Sequence, residues 1–201
     1  IPGQYANSQR VVGNYKCPDY QDIPELIEKL CNWLVSEFRF NRNKEFSNVI
    51  IQAIVTHIYI EWIHPFSDGN GRTGRLLEFY ILLRGGIPDI FAHILSNHYN
   101  QTRTEYYHHI KNSYNKSDIT DFIKYALVGF IDGLEATLSK IQCNLHIILW
   151  KKYIHDIFSE KKSSSKVSKR LKAIAMDIKF DRSYSMNEIT EISSKVAKLY
   201  S

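Results

Sequence analysis

The sequence predicts an all-α fold with a small β-hairpin near the N-terminus and a helical appendage at the C-terminus. Two observations support this fold class. Apolar residues recur at spacings of three and four along most of the 201-residue chain, which is the period of an amphipathic helix. The segment before Asp22 lacks that period, and there Gly13-Asn14 lies between two short extended runs, as in a hairpin.

Composition excludes several classes of protein. With 44% hydrophobic and 23% charged residues, the chain is neither a disordered tail nor a fibrous protein. It has no uninterrupted apolar run of the ~18 residues that a membrane span needs and no signal pattern at its start, so we expect a cytoplasmic protein without membrane contact. Three cysteines without a C-x-x-C pair favour a reducing compartment over a disulfide framework or a zinc site. The net charge of +5 is compatible with nucleotides and with nucleic acids.

The helices can be followed along the chain from Asp22. This residue is a predicted N-cap, with Pro24 in the first turn of the helix. A second helical pattern begins at about Ser47 and ends before Pro65, because proline lacks the backbone N–H and restricts the preceding residue. After a glycine-rich loop the periodicity resumes and stops at Gly85.

Further helices are predicted over about 99–113 and from Asp118 onward, where one apolar face is maintained. Past a polar, serine-rich run, 167–180 and 187–192 are predicted as helices, and Ser193 is a predicted cap of a third. Three short helices with a polar turn are typical of a helix-turn-helix module.

Composition also predicts the domain organisation. The run of serine and charged residues is typical of a linker. Lysines and arginines cluster around it, as on a solvated surface or a nucleic-acid-binding module. The predicted parts are a core domain over 1–158 (flap about 7–18, motif 64–75), a linker over 159–166 and an appendage over 167–201 that is the start of a winged-helix module on one interpretation.

One stretch, His64-Pro-Phe-Ser-Asp-Gly-Asn-Gly-Arg-Thr-Gly-Arg75, concentrates reactive groups at a helix–loop–helix junction. The backbone N–H groups of Gly69, Asn70 and Gly71 lie where the second helix begins, and a helix start favours an anion because its first donors are unpaired. Glycine also lets phosphate oxygens approach the backbone. The loop is therefore a predicted phosphate-binding site.

Four side chains in this stretch fit phosphate chemistry. Arg72 and Arg75 share one helical face and can pair with the same anion. Asp68 is a hard oxygen ligand suited to Mg²⁺, and His64 titrates near neutrality and can act as a base. Singly, each has an ordinary explanation: a core histidine, a turn, a solvated helix face. The combination, in this order, carries the functional interpretation.

These residues resemble the signature of the Fic (filamentation induced by cAMP) family, His-x-Phe-x-Asp/Glu-Gly-Asn-Gly-Arg-x-x-Arg, at every fixed position. The resemblance extends over roughly residues 3–140. The segment from Gly3 to Pro18 is similar to the family's flap, and the segment beginning at Glu105 to its nucleotide-side helix. It implies a Fic-type helical bundle and a protein adenylyltransferase that moves AMP from ATP to a protein hydroxyl.

The resemblance implies a role for each matched residue, with Mg²⁺ as cofactor and ATP as co-substrate. It implies that His64 is the general base and that Asp68 ligates Mg²⁺. The anion hole would consist of Gly69, Asn70 and Gly71, with the Asn70 amide near the α-phosphate, and Arg72 and Arg75 would bind the β- and γ-phosphates. Tyr106 and Tyr107 would lie on the nucleotide side, where at least one stacks on the base. The flap around Arg10–Tyr15 then presents backbone to a target protein.

Two departures from the family pattern leave alternatives open. Tyr114 stands where relatives often carry an adenine-side Asn, so a donor other than ATP remains an alternative. The family's inhibitory Ser/Thr-x-x-x-Glu-Gly/Asn segment has no match, so we expect either a truncated, uninhibited form or restraint by a separate antitoxin-like partner. A further alternative is a DNA-binding regulator that uses 160–201 to contact DNA and the Fic core as a nucleotide sensor.

Overall fold

The computed structural model describes residues 3–36, 46–160, 165–178 and 182–199, and most of these residues are helical, with one two-stranded hairpin near the N-terminus. The all-α fold class is confirmed. In chain order the elements are β1 (Val11–Val12), β2 (Tyr15–Lys16), α1 (Ile23–Ser36), α2 (Phe46–Ile63), α3 (Asn70–Arg84), α4 (Asp89–Ala92), α5 (Ile94–Gln101), α6 (Arg103–Lys116), α7 (Thr120–Glu160), α8 (Lys166–Asp177) and α9 (Met186–Leu199).

The predicted hairpin is present. Strand β1 pairs antiparallel with β2, and Val11 lies opposite Lys16. Gly13 occupies the turn with a φ of +59°, in the left-handed region that a two-residue hairpin loop requires. The Cys17 backbone N–H donates to the Arg10 carbonyl at 3.1 Å and closes the base of the hairpin.

The core forms around α2, which packs against α3 and α6. Most of its residues are buried, and Ala53, Ile54 and Ile58 are fully so. Burial of each such Ile stabilises the fold by roughly 1.5–3 kcal/mol. The helix is long and apolar enough to cross a bilayer, but 61% of it is buried within the protein, as for a core helix.

The helix predicted over about 99–113 is in fact two helices, because α5 ends at Gln101 and α6 begins at Arg103. Thr102 lies between them with φ −107° and ψ 40°. Its Oγ1 donates to the His98 carbonyl at 2.8 Å and also contacts the Tyr125 hydroxyl. The interruption between α5 and α6 depends on these hydrogen bonds of the Thr102 side chain, which the spacing of apolar residues does not indicate.

The chain folds as two units, Ile1–Glu135 and Ala136–Ser201, and the division between them falls inside α7. The boundary predicted after residue 158 stays a prediction, and residues 161–164 of the predicted linker lie outside the described residues. Within the second unit, Trp150 Nε1 donates to the Ala175 carbonyl at 3.0 Å and joins α7 to α8.

The helix α9 replaces the two short helices predicted after residue 186. It begins with a capping box, in which Glu188 Oε2 accepts from the Ser185 backbone N–H at 2.8 Å and Ser185 Oγ accepts from the Glu188 N–H at 3.3 Å. The helix then continues through Ser193, because Ile189, Ile192 and Val196 keep one apolar face across it. The prediction that Ser193 caps a third helix was wrong.

Candidate active site

The motif begins where α2 ends. His64 has a φ of +50°, an uncommon conformation for a residue with a side chain, and its backbone N–H donates to the Ile60 carbonyl at 2.9 Å. The next carbonyl, of Pro65, accepts from the Ala6 N–H at 2.8 Å, which ties the N-terminal segment to the loop. The chain direction therefore changes at His64 itself, and proline prevents the helix from continuing.

The loop is held closed by Asn70. Its Oδ1 accepts from the Phe66 backbone N–H and its Nδ2 donates to the Phe66 carbonyl, both at 2.8 Å. Only 3% of Asn70 is exposed. The first hydrogen bond of α3, from the Thr73 N–H to the Gly69 carbonyl, lies beyond the N–H groups of Asn70 and Gly71. Asn70 thus anchors the loop with its side chain and offers an anion its backbone N–H.

The His64 side chain is half-buried beside the hairpin. Its Nδ1 is enclosed in the protein. Burial lowers the pKa of the imidazole, the Arg10 guanidinium acts in the same direction, and the Glu61 backbone carbonyl opposes them. His64 is consequently neutral near pH 7, the form that accepts a proton.

The side chains of Asp68 and Arg72 lie at the surface and form an ion pair of 2.9 Å, with 89% and 74% of the side chains exposed. Gly69 has a φ of +88°, and a Cβ placed there would lie 3.3 Å from Arg72 Nη2. Glycine is needed at this position both for the backbone conformation and for the approach of the guanidinium.

The Arg75 side chain is half-buried and lies beside Gly71, where an added Cβ would be 3.4 Å from Arg75 Nη1 and 3.0 Å from Glu61 Oε1. None of the ion pairs found in the described ranges includes Arg75. The guanidinium faces a polar pocket of ≈ 320 Å³. The lining residues are Arg75, Ser96, Asn97, Tyr99, Asn100, Arg103, Tyr106 and Tyr107.

Five buried side chains beneath α3 form what we call the buried polar cluster: His57, Glu61, Glu78, Tyr99 and Tyr106. Tyr99 donates its hydroxyl to Glu78 Oε1 at 2.9 Å, and Tyr106 donates to Glu61 Oε1 at 3.3 Å. The Tyr106 oxygen is also 2.9 Å from His57 Nε2. The His57 tautomer decides which of these two atoms donates.

Burial shifts the pKa values of this cluster strongly. It raises the pKa of Glu78 to about 8 and also raises that of Glu61. Burial, assisted by the Arg75 charge, lowers the pKa of His57 to about 3. Glu78 Oε2 lies 3.8 Å from His57 Nδ1. Both groups are therefore neutral at pH 7.

The two predicted nucleotide-side tyrosines have different environments. Tyr106 is 4% exposed and belongs to the buried polar cluster, so its ring is closed to a base. Tyr107 is 54% exposed. It lines a second pocket, of ≈ 290 Å³, formed with the hairpin. Of the pair, the structure leaves Tyr107 for stacking.

Tyr114, at the position where the expected Asn is missing, supports the hairpin. Its ring stacks on that of Tyr15 with centroids 3.7 Å apart and planes at 5°. Tyr15 donates its hydroxyl to the Trp62 carbonyl at 3.1 Å, and Tyr114 donates to the Glu61 carbonyl at 3.3 Å. This packed aromatic pair joins the flap to α2 and α6.

Sequence reasoning missed Glu61, Glu78 and Arg103. A signal for the two acids was present, because each stands alone in an otherwise apolar run, IYIEWI and RLLEFYILL. An isolated charge on a buried helix indicates a paired or functional group. Nothing local to Arg103 distinguishes it from a solvated arginine.

Comparison with known proteins agrees with the geometry. Residues 1–82 match the model of the Fic/DOC family. This match includes the motif, and the resemblance to the Fic family stated from that motif is confirmed.

Among curated relatives, a protein adenylyltransferase Fic of Nematostella vectensis is 33% identical over 123 residues, which cover 61% of this chain and 26% of that protein. The protein of the same name from Drosophila willistoni is 32% identical over 123 residues, 22% of its length. Both belong by name to the nucleotidyltransferases. The match spans about a quarter of the length of these relatives.

The fold is shared with a Fic family protein from Desulfovibrio desulfuricans G20 of known crystal structure. The TM-score is 0.56 at 21% identity, and the similarity covers 96% of this chain and 50% of that one. The Fic-type helical bundle is confirmed by this likeness.

Proposed function

We propose that this chain is a protein adenylyltransferase, which transfers AMP from ATP to a Ser, Thr or Tyr hydroxyl of a target protein. The observation that carries the proposal is the placement of a neutral, half-buried His64 directly before a loop of free backbone donors that leads to Arg72 and Arg75 on one helix. The names of the curated relatives support the same reaction class.

The reaction needs a base, and His64 supplies it. The target hydroxyl oxygen forms a bond to the α-phosphorus, its proton passes to the His64 imidazole, and the bond from the α-phosphorus to the bridging oxygen breaks with release of pyrophosphate. Nδ1 is enclosed in the protein, so Nε2 is the nitrogen that receives the proton. The lowered pKa keeps this nitrogen free at neutral pH.

Charge that develops on the phosphates is stabilised by the loop and by two arginines. The N–H groups of Asn70 and Gly71 and the positive end of the α3 dipole act on the anion without reorganisation. Arg72 and Arg75 offer bidentate donors to the leaving pyrophosphate. Arg72 must leave its exposed pair with Asp68 to do so, at small cost for a pair of this exposure.

Asp68 fits the role of a magnesium ligand. Its carboxylate is exposed, and only Oδ2 is engaged by Arg72. Within the described ranges no group of three or more His, Cys, Asp or Glu could form a metal site. That finding is compatible with Mg²⁺, which is commonly held by one or two carboxylates together with substrate phosphates. Bound there, Mg²⁺ would neutralise phosphate charge.

The hairpin and α6 complete the site. The pocket beside Tyr107 would take the base, with the Tyr107 ring as a stacking surface. Strand β1 presents Val11, which is 63% exposed, at the edge of the hairpin. A target segment would pair with this edge as an added strand, next to His64.

Incubation of the chain with Mg²⁺ and α-labelled ATP tests the proposal. We expect label on the chain itself or on lysate proteins, with the mass increase of one AMP. The His64→Ala variant should lose the transfer by about 10²- to 10⁴-fold, the usual contribution of a general base, and still bind ATP. The matched control is His155→Ala, an exposed histidine of α7 outside the motif.

Label that persists in His64→Ala would contradict the role of the histidine. ATP binding without transfer, together with transfer from UTP, GTP or CDP-choline, would favour a different nucleotide donor. Absence of nucleotide binding, together with salt-sensitive duplex binding that is lost on removal of 160–201, would favour the DNA-binding regulator.

A further inference from the structure

The pocket next to Arg75 holds a second guanidinium that the motif does not include. We call it the Arg75–Arg103 pocket. It lies between α3, α5 and α6, and two carboxamides, Asn97 and Asn100, add donors to its wall. No carboxylate is among its lining residues, so its walls carry two positive charges and no negative one. Its ≈ 320 Å³ exceed the size of one phosphate group.

Arg103 is held in place and lies in an electrostatically unfavourable position. Its Nη2 donates to the Tyr107 hydroxyl at 3.5 Å, and its guanidinium carbon lies 5.7 Å from the Tyr107 ring centre. It is also the first residue of α6, where the helix dipole repels a cation. Glu105 in the same turn is exposed and does not line the pocket. The concentration of positive charge is suited to an anion.

The two acids behind the pocket do not line it. Tyr99 and Tyr106 separate the pocket from Glu78 and Glu61, since each tyrosine donates its hydroxyl to one of these carboxyl groups. Burial raises the pKa of both acids and keeps Glu78 protonated at neutral pH. Arg75 consequently faces the pocket with its charge available.

We propose that Arg103 is a second guanidinium for the terminal phosphate of the nucleoside triphosphate, which the motif resemblance assigns to Arg75, and that the Arg75–Arg103 pocket receives this phosphate. This inference rests on the proposed function, because it concerns the same nucleotide. Two guanidiniums from different helices can hold one phosphate bidentately from two sides. The pocket then selects triphosphates over diphosphates, since an ADP that occupies the same base and loop sites leaves the pocket without an anion.

Calorimetric titration of the full chain with ATP and with ADP, each in Mg²⁺, tests this assignment. We expect Arg103→Gln to weaken ATP binding by about 10- to 100-fold, as for the loss of a charged hydrogen-bonding group, and ADP binding by less than about twofold. Arg103→Lys should fall between, because lysine keeps the charge and loses the fork. Lys124→Gln, an equal change of charge on exposed α7, should alter neither affinity.

The outcomes separate the two proposals. If Arg103→Gln weakens ATP and ADP equally, Arg103 acts only by supporting Tyr107 on the base side, and the phosphate assignment is wrong. Unchanged ATP binding in this variant also overturns it, while the adenylyltransferase proposal stands. If the unmodified chain binds neither nucleotide, both proposals fail. Circular dichroism of each variant verifies that the helical content is kept.

Discussion

The motif loop and the buried polar cluster beneath it meet on α3 and are built on opposite principles. In the loop, Asp68 and Arg72 are exposed and pair only with each other. In the cluster, Glu78 is 1% exposed, its Oε1 accepts from the Tyr99 hydroxyl, and its Oε2 lies 3.8 Å from His57 Nδ1. The exposed pair is free to exchange its partner for a nucleotide, whereas the buried groups cannot change partners without loss of stability. One helix thus combines an exposed ion pair that can exchange its partner with a buried, neutral carboxyl group that cannot.

The largest difference between the two regions should appear on truncation of Glu78. We expect Glu78→Ala to lower the free energy of unfolding by about 2–4 kcal/mol, because it opens a cavity and leaves the Tyr99 hydroxyl buried without its acceptor. Urea unfolding followed by circular dichroism measures it. Glu78→Gln is the matched control, since its amide can accept from Tyr99 and donate toward His57. An alanine variant as stable as the unmodified chain would show that the cluster contributes nothing to the fold.

The pH dependence of the free energy of unfolding should show the contribution of the Glu78 proton. Between pH 4.5 and about 8 the folded chain keeps the Glu78 proton that the unfolded chain has lost, so stability falls as the pH rises. His57 has the opposite effect, since the unfolded chain binds its proton between about pH 3 and 6.5, and this contribution ends at 6.5. Above pH 6.5 the Glu78 effect therefore remains.

Thermal unfolding from pH 6.5 to 8 tests this sign. We expect a decrease of at most about 2 kcal/mol in the unmodified chain and a clearly smaller slope in Glu78→Gln. Stability that rises over this range, or an unchanged slope in the variant, would contradict the raised pKa of Glu78.

The smallest effect on stability is expected in the loop. Asp68→Asn removes one charge of an exposed pair and should alter the free energy of unfolding by less than about 0.5 kcal/mol. AMP transfer should nevertheless fall, because the amide is a poorer Mg²⁺ ligand, and added Mg²⁺ should restore it in part. Full activity at low Mg²⁺ would remove Asp68 from the metal site. A large loss of stability would place it with the buried cluster instead.

The sequence predicted those parts of the site that depend on neighbouring residues. The ends of α2 and α3 follow from Pro65 and from glycine and apolar spacing, and the groups between His64 and Arg75 come together because the motif itself forms the turn. The hairpin followed in the same way from its Gly-Asn turn. For these features, the reactive side chains and the residues that form the turn lie within about a dozen residues of each other in the sequence.

Only the tertiary structure decided the contacts between residues that lie far apart in the chain. Tyr106 and Tyr107 are adjacent in sequence, yet one is buried against His57 and Glu61 and the other is exposed beside Arg103. Helical periodicity places each residue on a face of its helix, but it does not show which element packs on that face. The pKa of a side chain depends on this packing, because burial changes it. The sequence by itself determined the helical fold and the reactive loop, while the packing of α5 against α3 and of α6 against α2 decided which tyrosine, which acids and which second arginine surround it.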